Sequence, residues 1–380
     1  MQKKIKVLFR HRSMEMGGVE KVILNLLNNL DKNKFDITYL VSLYQGELRD
    51  KVPSYINYIK INKGKEDFSK NTLISKLQLV YRGLKIKFLE TFPNLTDKIY
   101  LDQKFDVEIA STYADYNSVI RSSNKNSKKI GWLHSDITQP GLKEILPEIL
   151  DNLQHFDHVI YGSQQSYDIL HEYFSDIKIQ KESVILNAIP IEELKEKAQE
   201  FSVDYDGIPT FISVARLHFR KGFHKLVEAH YLLLKEGFKH QIVVIGDGDE
   251  RENLENQIAQ LGVQDTFKLL GTKMNPYPYV KNADFYVMPS ETEGWPLIIA
   301  ETLILQIPII STNVGGIPEM IIHQENGYLT DYDSEKLKEA MKEFLTNKAL
   351  VDHIKIKLQD SEKQFDNQKI YNAITEILEN

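Results

Sequence analysis

Short apolar runs alternate with charged stretches of helical length along the whole chain. Runs over 5–10, 35–43, 106–111, 129–133, 158–162 and 183–186 each predict a strand. So do those over 209–215, 241–245, 267–270, 284–288 and 307–311. Val, Ile, Leu and Phe follow one another in these runs with little polar interruption. That pattern marks strands covered on both faces, as in a parallel sheet. Between them, apolar residues recur at helical spacing. Val22, Leu26, Leu27 and Leu30 share one side of a helix over 19–30. Further helices are predicted over 164–174, 192–200, 223–235, 251–261, 276–282, 334–347 and 348–380. Strand alternating with helix gives an α/β fold built on parallel sheets. The 380 residues exceed one ordinary domain and suit two.

Residues 63–98 break this rhythm. Leu73, Leu77, Val80, Leu84 and Phe88 fall on one helical face, with Lys76, Arg82, Lys85 and Lys87 off it. Two readings stand. The helix turns its apolar face to the core and leaves a solvated basic side, or the segment makes peripheral contact with an anionic membrane.

The chemistry gathers where strands end. After the run over 284–288 comes Pro289-Ser290-Glu291-Thr292-Glu293-Gly294-Trp295-Pro296-Leu297, with Glu301 further on. Pro296 suits a first helical turn, and the free N–H groups of such a turn attract phosphate. Glu293 in the loop can accept from sugar hydroxyls, and Glu301 can reach a ribose diol. Arg216 and Lys221 bracket the loop after 209–215 and form a clamp for a diphosphate, a planar fork beside a mobile point charge. His134 follows the strand over 129–133, with Asp136 close behind. Gly17 and Gly18 join the first strand to its helix, without the GxGxxG spacing of dinucleotide binders. No second ligand stands at zinc-binding distance in sequence from His134, so no metal is expected.

Taken together, the Glu293–Glu301 pair, Gly17-Gly18-Val19-Glu20, the histidine of Trp132-Leu133-His134, Arg216 with Lys221-Gly222, and Gly315-Gly316-Ile317-Pro318-Glu319 resemble the retaining glycosyltransferases of family 4. The resemblance runs over nearly the whole chain. It implies the GT-B fold, two Rossmann-like doubly wound domains facing a central cleft. It divides the chain into an acceptor-side domain (1–188), a nucleotide-sugar-binding domain (189–360) and a C-terminal helix (361–380) that crosses back to the first. Asn187-Ala188-Ile189-Pro190 stands where the family has its hinge, with Ala188 for the commoner glycine and Pro190 for the usual acid.

The resemblance also implies roles. Glu293 and His134 hold the donor sugar, Arg216 and Lys221 carry phosphate charge, and Glu301 holds the ribose. Gly17, Gly18, Gly271, Gly294, Trp295, Pro296 and Leu297 line the donor, and Asp136 lies on the acceptor side. Trp295-Pro296 replaces the family's commoner Phe-Gly. The reaction implied is transfer of a hexose or N-acetylhexosamine from a nucleoside diphosphate sugar, UDP favoured over GDP, to a saccharide or lipid-linked acceptor, with no cofactor.

Composition narrows the setting. A formal net charge of −7 argues against a nucleic-acid partner. The absence of cysteine fits a reducing compartment, and the apolar N-terminal run is too short for a signal peptide. A bacterial cytoplasmic enzyme at the inner membrane face is expected. Two alternatives stay open. One is a hydrolysing nucleotide-sugar epimerase on the same fold, the other a non-catalytic glycosyltransferase-like partner subunit.

Overall fold

In the computed structural model, residues 3–380 are described, and the apolar runs pair into two parallel sheets. The first sheet contains β1 (Ile5–His11), β2 (Phe35–Val41), β3 (Asn57–Lys60), β4 (Val107–Ala110), β5 (Lys128–Leu133), β6 (His158–Tyr161) and β7 (Glu182–Val184). Its order is β3-β2-β1-β4-β5-β6-β7. Val7, Leu8 and Phe9 on successive positions of β1 are all fully buried, so both faces of the strand are covered. The second sheet contains β8 (Thr210–Val214), β9 (Gln241–Ile245), β10 (Phe267–Leu269), β11 (Phe285–Met288), β12 (Ile309–Thr312) and β13 (Tyr328–Thr330), in the order β10-β9-β8-β11-β12-β13. Both are doubly wound Rossmann-like arrangements.

The chain divides into two compact units. One holds the residues up to Ala188 together with Asn367–Asn380, the other Ile189–Asp366. The second unit thus runs to Asp366 rather than 360. The stretch over 348–380 is not one helix either. It breaks into Lys348–Leu358, a 3-10 turn Ser361–Gln364 and Asn367–Glu379. The turn stays with the second unit, where Phe365 meets the ring of Trp295 edge-on. The last helix belongs to the first unit. Its Ile374, Ile377 and Leu378 are buried, Tyr371 donates to Asn25 Oδ1 (3.0 Å), and Lys128 Nζ donates to the Ile377 carbonyl (2.5 Å).

The helix Thr72–Thr91 overturns the core-facing reading of its apolar stripe. Leu73, Leu77, Val80, Tyr81, Leu84 and Phe88 are all exposed, and Arg82 and Leu89 are its buried residues. Arg82 and Lys85, expected on a solvated side, turn inward instead. Arg82 donates to Gln45 Oε1 (3.1 Å) and the Lys63 carbonyl (3.3 Å), and Lys85 to the Ile61 carbonyl (3.0 Å).

Candidate active site

In a doubly wound sheet, loops leave the strand ends in opposite directions where the order reverses, and a crevice opens there. In the second sheet the reversal lies between β8 and β11. The loops that follow these strands carry Arg216 and Lys221 on one side and Glu293 on the other. Lys221 Nζ lies 2.6 Å from Glu293 Oε1, and Ser290 Oγ donates to the same oxygen at 2.6 Å. The predicted cation and the predicted sugar-binding carboxylate are therefore bonded to each other. Glu293 is buried. Arg216 stands exposed at the end of β8, in no salt bridge with any described residue.

Glycines hold these loops together. Gly222 has φ +66°, and a Cβ there would fall 1.9 Å from the Pro289 carbonyl oxygen. Backbone from the two loops also pairs directly, Glu291 N–H to the Arg220 carbonyl at 2.8 Å. Gly315 has φ +62°, with the Glu293 carbonyl 2.4 Å from where its Cβ would be, and Gly316 N–H donates to the Gly294 carbonyl at 2.6 Å. The Gly315-Gly316 pair thus packs on the Glu293 loop. The Gly246-Asp247-Gly248 turn clasps the Arg216 loop in the same way. The Asp247 carbonyl accepts from Leu217 N–H at 3.0 Å, and the Asp247 carboxylate faces Arg251 at 3.6 Å. The carbonyl of Gly271 accepts from Gly246 N–H (3.0 Å).

The helix after β11 is Leu297–Ile304, and Pro296 precedes it as the cap residue rather than occupying its first turn. Glu301 is buried within it and accepts from Tyr277 OH at 2.8 Å. Burial and this carboxylate together push the Tyr277 phenol far above its ordinary range, so it stays a donor. Trp295 is buried, and its indole N–H has no hydrogen-bond partner among the described residues.

In the first sheet the order reverses between β1 and β4. His134 follows β5, stacked on Trp132 at 5.0 Å between centroids. Its Nε2 is shielded from solvent and has no hydrogen-bond partner among the described residues. Burial, and then the charge of His11, lower it to about 3, so the ring is neutral. Asp136 does not support it. Its Oδ1 accepts from the N–H and hydroxyl of Thr138 (2.7 and 2.6 Å). Gly17 caps the first helix, Gly18–Asn29, in ordinary extended backbone.

The residues that occupy this reversal belong to none of the motifs read from the sequence. His11 ends β1, buried, with Glu20 Oε1 3.5 Å and Asp115 Oδ2 3.9 Å from its ring nitrogens. These are ion-pair distances rather than hydrogen bonds. Burial raises Asp115 to about 6 despite the opposing pull of His11. One signal was in the sequence, since His11 closes β1 much as His134 follows β5.

Residues 192–360 match the family model described as glycosyl transferases group 1. An uncharacterized glycosyltransferase of Haemophilus influenzae is 25% identical over 324 residues, 84% of this chain and 83% of that protein. The N-acetylgalactosamine-N,N'-diacetylbacillosaminyl-diphospho-undecaprenol 4-alpha-N-acetylgalactosaminyltransferase of Campylobacter jejuni is 24% identical over 362 residues, 94% and 95% of the two chains. The crystal structure of Anabaena Alr3699/HepE in complex with UDP-glucose matches with a TM-score of 0.77 at 18% identity, over 99% of each chain. That last likeness is one of fold, and the fold is GT-B.

Proposed function

We propose that this chain, a member of the glycosyl transferases group 1 family, moves a hexose or N-acetylhexosamine from a UDP-sugar to a hydroxyl of a lipid-linked saccharide. The product would be a bacterial surface polysaccharide or glycolipid, made at the cytoplasmic face of the membrane. The observation that carries this reading is the Lys221–Glu293 pair at the strand reversal of the second sheet, with Arg216 exposed on the same loop as Lys221. An ammonium has three N–H donors. Lys221 can keep Glu293 and still give a donor to a diphosphate oxygen. Ser290 and Lys221 share Glu293 Oε1, which leaves Oε2 for a sugar hydroxyl. Arg216 adds a planar fork for the second phosphate. Glu301, oriented by Tyr277, takes the ribose. We assign neutral His134 to positioning the sugar, and Asp136 to the acceptor side. Backbone at Gly17, Gly18, Gly271, Gly294, Trp295, Pro296 and Leu297 completes the donor contacts.

The transfer retains configuration. The bond from the anomeric carbon to the diphosphate oxygen breaks, and its electron pair stays with the diphosphate. The acceptor oxygen bonds to the same face of that carbon. Its proton passes to the departing phosphate oxygen, so no separate base is required. Arg216 and Lys221 stabilise the charge as it develops, and the route uses neither metal nor cofactor. UDP is favoured because the similar Anabaena protein was crystallised with UDP-glucose. A lipid-linked acceptor is favoured because the Campylobacter relative's name specifies a diphospho-undecaprenol one.

The test is a panel of UDP- and GDP-sugars, read by melting temperature and turnover, with Arg216→Ala and Glu301→Ala alongside. One UDP-sugar should raise the melting temperature and lose that effect in both variants. Its transfer to a lipid-linked saccharide should follow. Release of free sugar regardless of acceptor would point instead to the epimerase. A folded protein that binds no donor would leave only the partner subunit.

A further inference from the structure

We infer that the helix Thr72–Thr91 is a docking surface for an anionic lipid bilayer, on which it lies flat without crossing. The helix is amphipathic in the wrong sense for a soluble protein. At 3.6 residues per turn, Leu73, Leu77, Val80, Tyr81, Leu84 and Phe88 fall in one stripe about 100° wide. These six side chains are between 49% and 70% exposed. The opposite face, turned to the protein, is largely polar. There Gln78 accepts from Ser69 N–H (2.9 Å), Arg82 and Lys85 donate to the 45 and 61–63 segments, and only Leu89 joins the core, with Leu8, Leu40, Ile61 and Phe105. The inward hydrogen bonds fix the helix's rotation, so the apolar stripe cannot roll into the core.

Charge selects the occupant. Between residues 70 and 98, Lys70, Lys76, Lys87 and Lys98 are exposed against one exposed acid, Glu90, in a chain whose net charge is −7. A local basic margin beside an apolar stripe matches anionic headgroups over acyl chains. Tyr81 in the stripe suits the interface between the two. A second copy of the chain is a poor occupant, because a twofold pairing of this face sets the same lysines against each other. No helix among the described residues is long and apolar enough to cross a membrane. This inference rests on the helix alone and stands or falls apart from the transferase reading.

The full chain is tested by co-sedimentation with phosphatidylcholine vesicles, with and without phosphatidylglycerol, alongside its elution volume without lipid. It should pellet with the phosphatidylglycerol vesicles and not with phosphatidylcholine alone. L77E/L84E should abolish pelleting at an unchanged melting temperature. Removing charge in K76A/K87A should weaken it about thirtyfold, taking about 1 kcal/mol for each lysine near the surface. Equal pelleting with both vesicle types, or none with either, would overturn the inference. So would a dimer in lipid-free buffer that L77E/L84E returns to monomer, which would assign the stripe to a second copy.

Discussion

Each unit carries a Gly-Gly pair after a strand, and the two pairs serve different ends. Gly315 sits at φ +62° with the Glu293 carbonyl 2.4 Å from where its Cβ would be, and Gly316 hydrogen-bonds the Gly294 carbonyl. Both are packed against backbone. Gly17 has φ −130°, open to any residue, and the nearest atoms a Cβ there would meet are those of the Glu20 carboxylate, the closest at 2.1 Å. A side chain can swing aside where a backbone carbonyl cannot. The same dipeptide therefore locks a loop in one unit and lies beneath a movable acid in the other. Only the neighbours distinguish a glycine that packs from one that leaves room.

The largest effect should come from Gly315→Ala. Left-handed backbone costs an ordinary residue about 1–2 kcal/mol, and the collision with the Glu293 carbonyl brings the total to about 3 kcal/mol or more. The melting temperature should drop and UDP-sugar binding should vanish with the displaced Glu293 loop. Gly17→Ala should stay within about 0.5 kcal/mol of the parent. Gly262→Ala calibrates the pair, because Gly262 has φ +68° with nothing within 4 Å of its would-be Cβ, and should cost about 1 kcal/mol. Equal losses at positions 17 and 315 in denaturant titrations would break the comparison.

Next in size is Lys221→Met. It leaves Glu293 buried with the Ser290 hydroxyl still donating to it, a loss of about 2 kcal/mol. Glu293→Gln keeps an acceptor for Lys221 and should cost about 1 kcal/mol or less. Transfer should fall on the order of a hundredfold or more in Lys221→Met, from lost charge stabilisation. Turnover at saturating donor would separate this from weaker binding. A Lys221→Met variant that is fully active would remove the lysine from the clamp.

The two reversals also differ in how legible they were. The second was readable because its residues are local to strand ends: Arg216 and Lys221 after β8, Glu293 after β11. The apolar runs that fix those ends are continuous, and the helices Phe223–Lys235 and Arg251–Leu261 match their predicted bounds. In the first reversal only the position of His11 at the end of β1 was readable, and its pairing with the buried acid was not. Asp115 lies in a 3-10 turn after β4, and only the β1–β4 register, with Arg10 opposite Ala110, brings that turn to His11. Long-range pairing leaves no period in the sequence. β3 was missed because it is a short edge strand with exposed ends and no continuous apolar run. The orientation of Thr72–Thr91 was hidden for a related reason. Periodicity finds the stripe, but which face turns inward depends on distant acceptors such as Gln45 and the Ile61 carbonyl.

A further effect, of about 1 kcal/mol and dependent on pH, belongs to the first unit. His11 is held above its ordinary pKa, because the charges of Glu20, Asp115 and Glu15 outweigh the lowering due to burial. A histidine with a raised folded pKa adds stability that is fully present below its unfolded value of about 6.5. That contribution is lost as pH rises through the folded value. Glu20→Gln removes one of the charges facing His11. The variant should therefore be less stable than the parent by about 1 kcal/mol at about pH 6, with the gap closing as pH rises through the folded value of His11. Melting curves across that range would show the difference, and the histidine resonances in NMR would locate it. A gap that is constant with pH would mean that Glu20 acts through packing over Gly17 rather than through charge. It would then resemble the backbone contacts of Gly315, and the contrast between the two glycine pairs would narrow to one of degree.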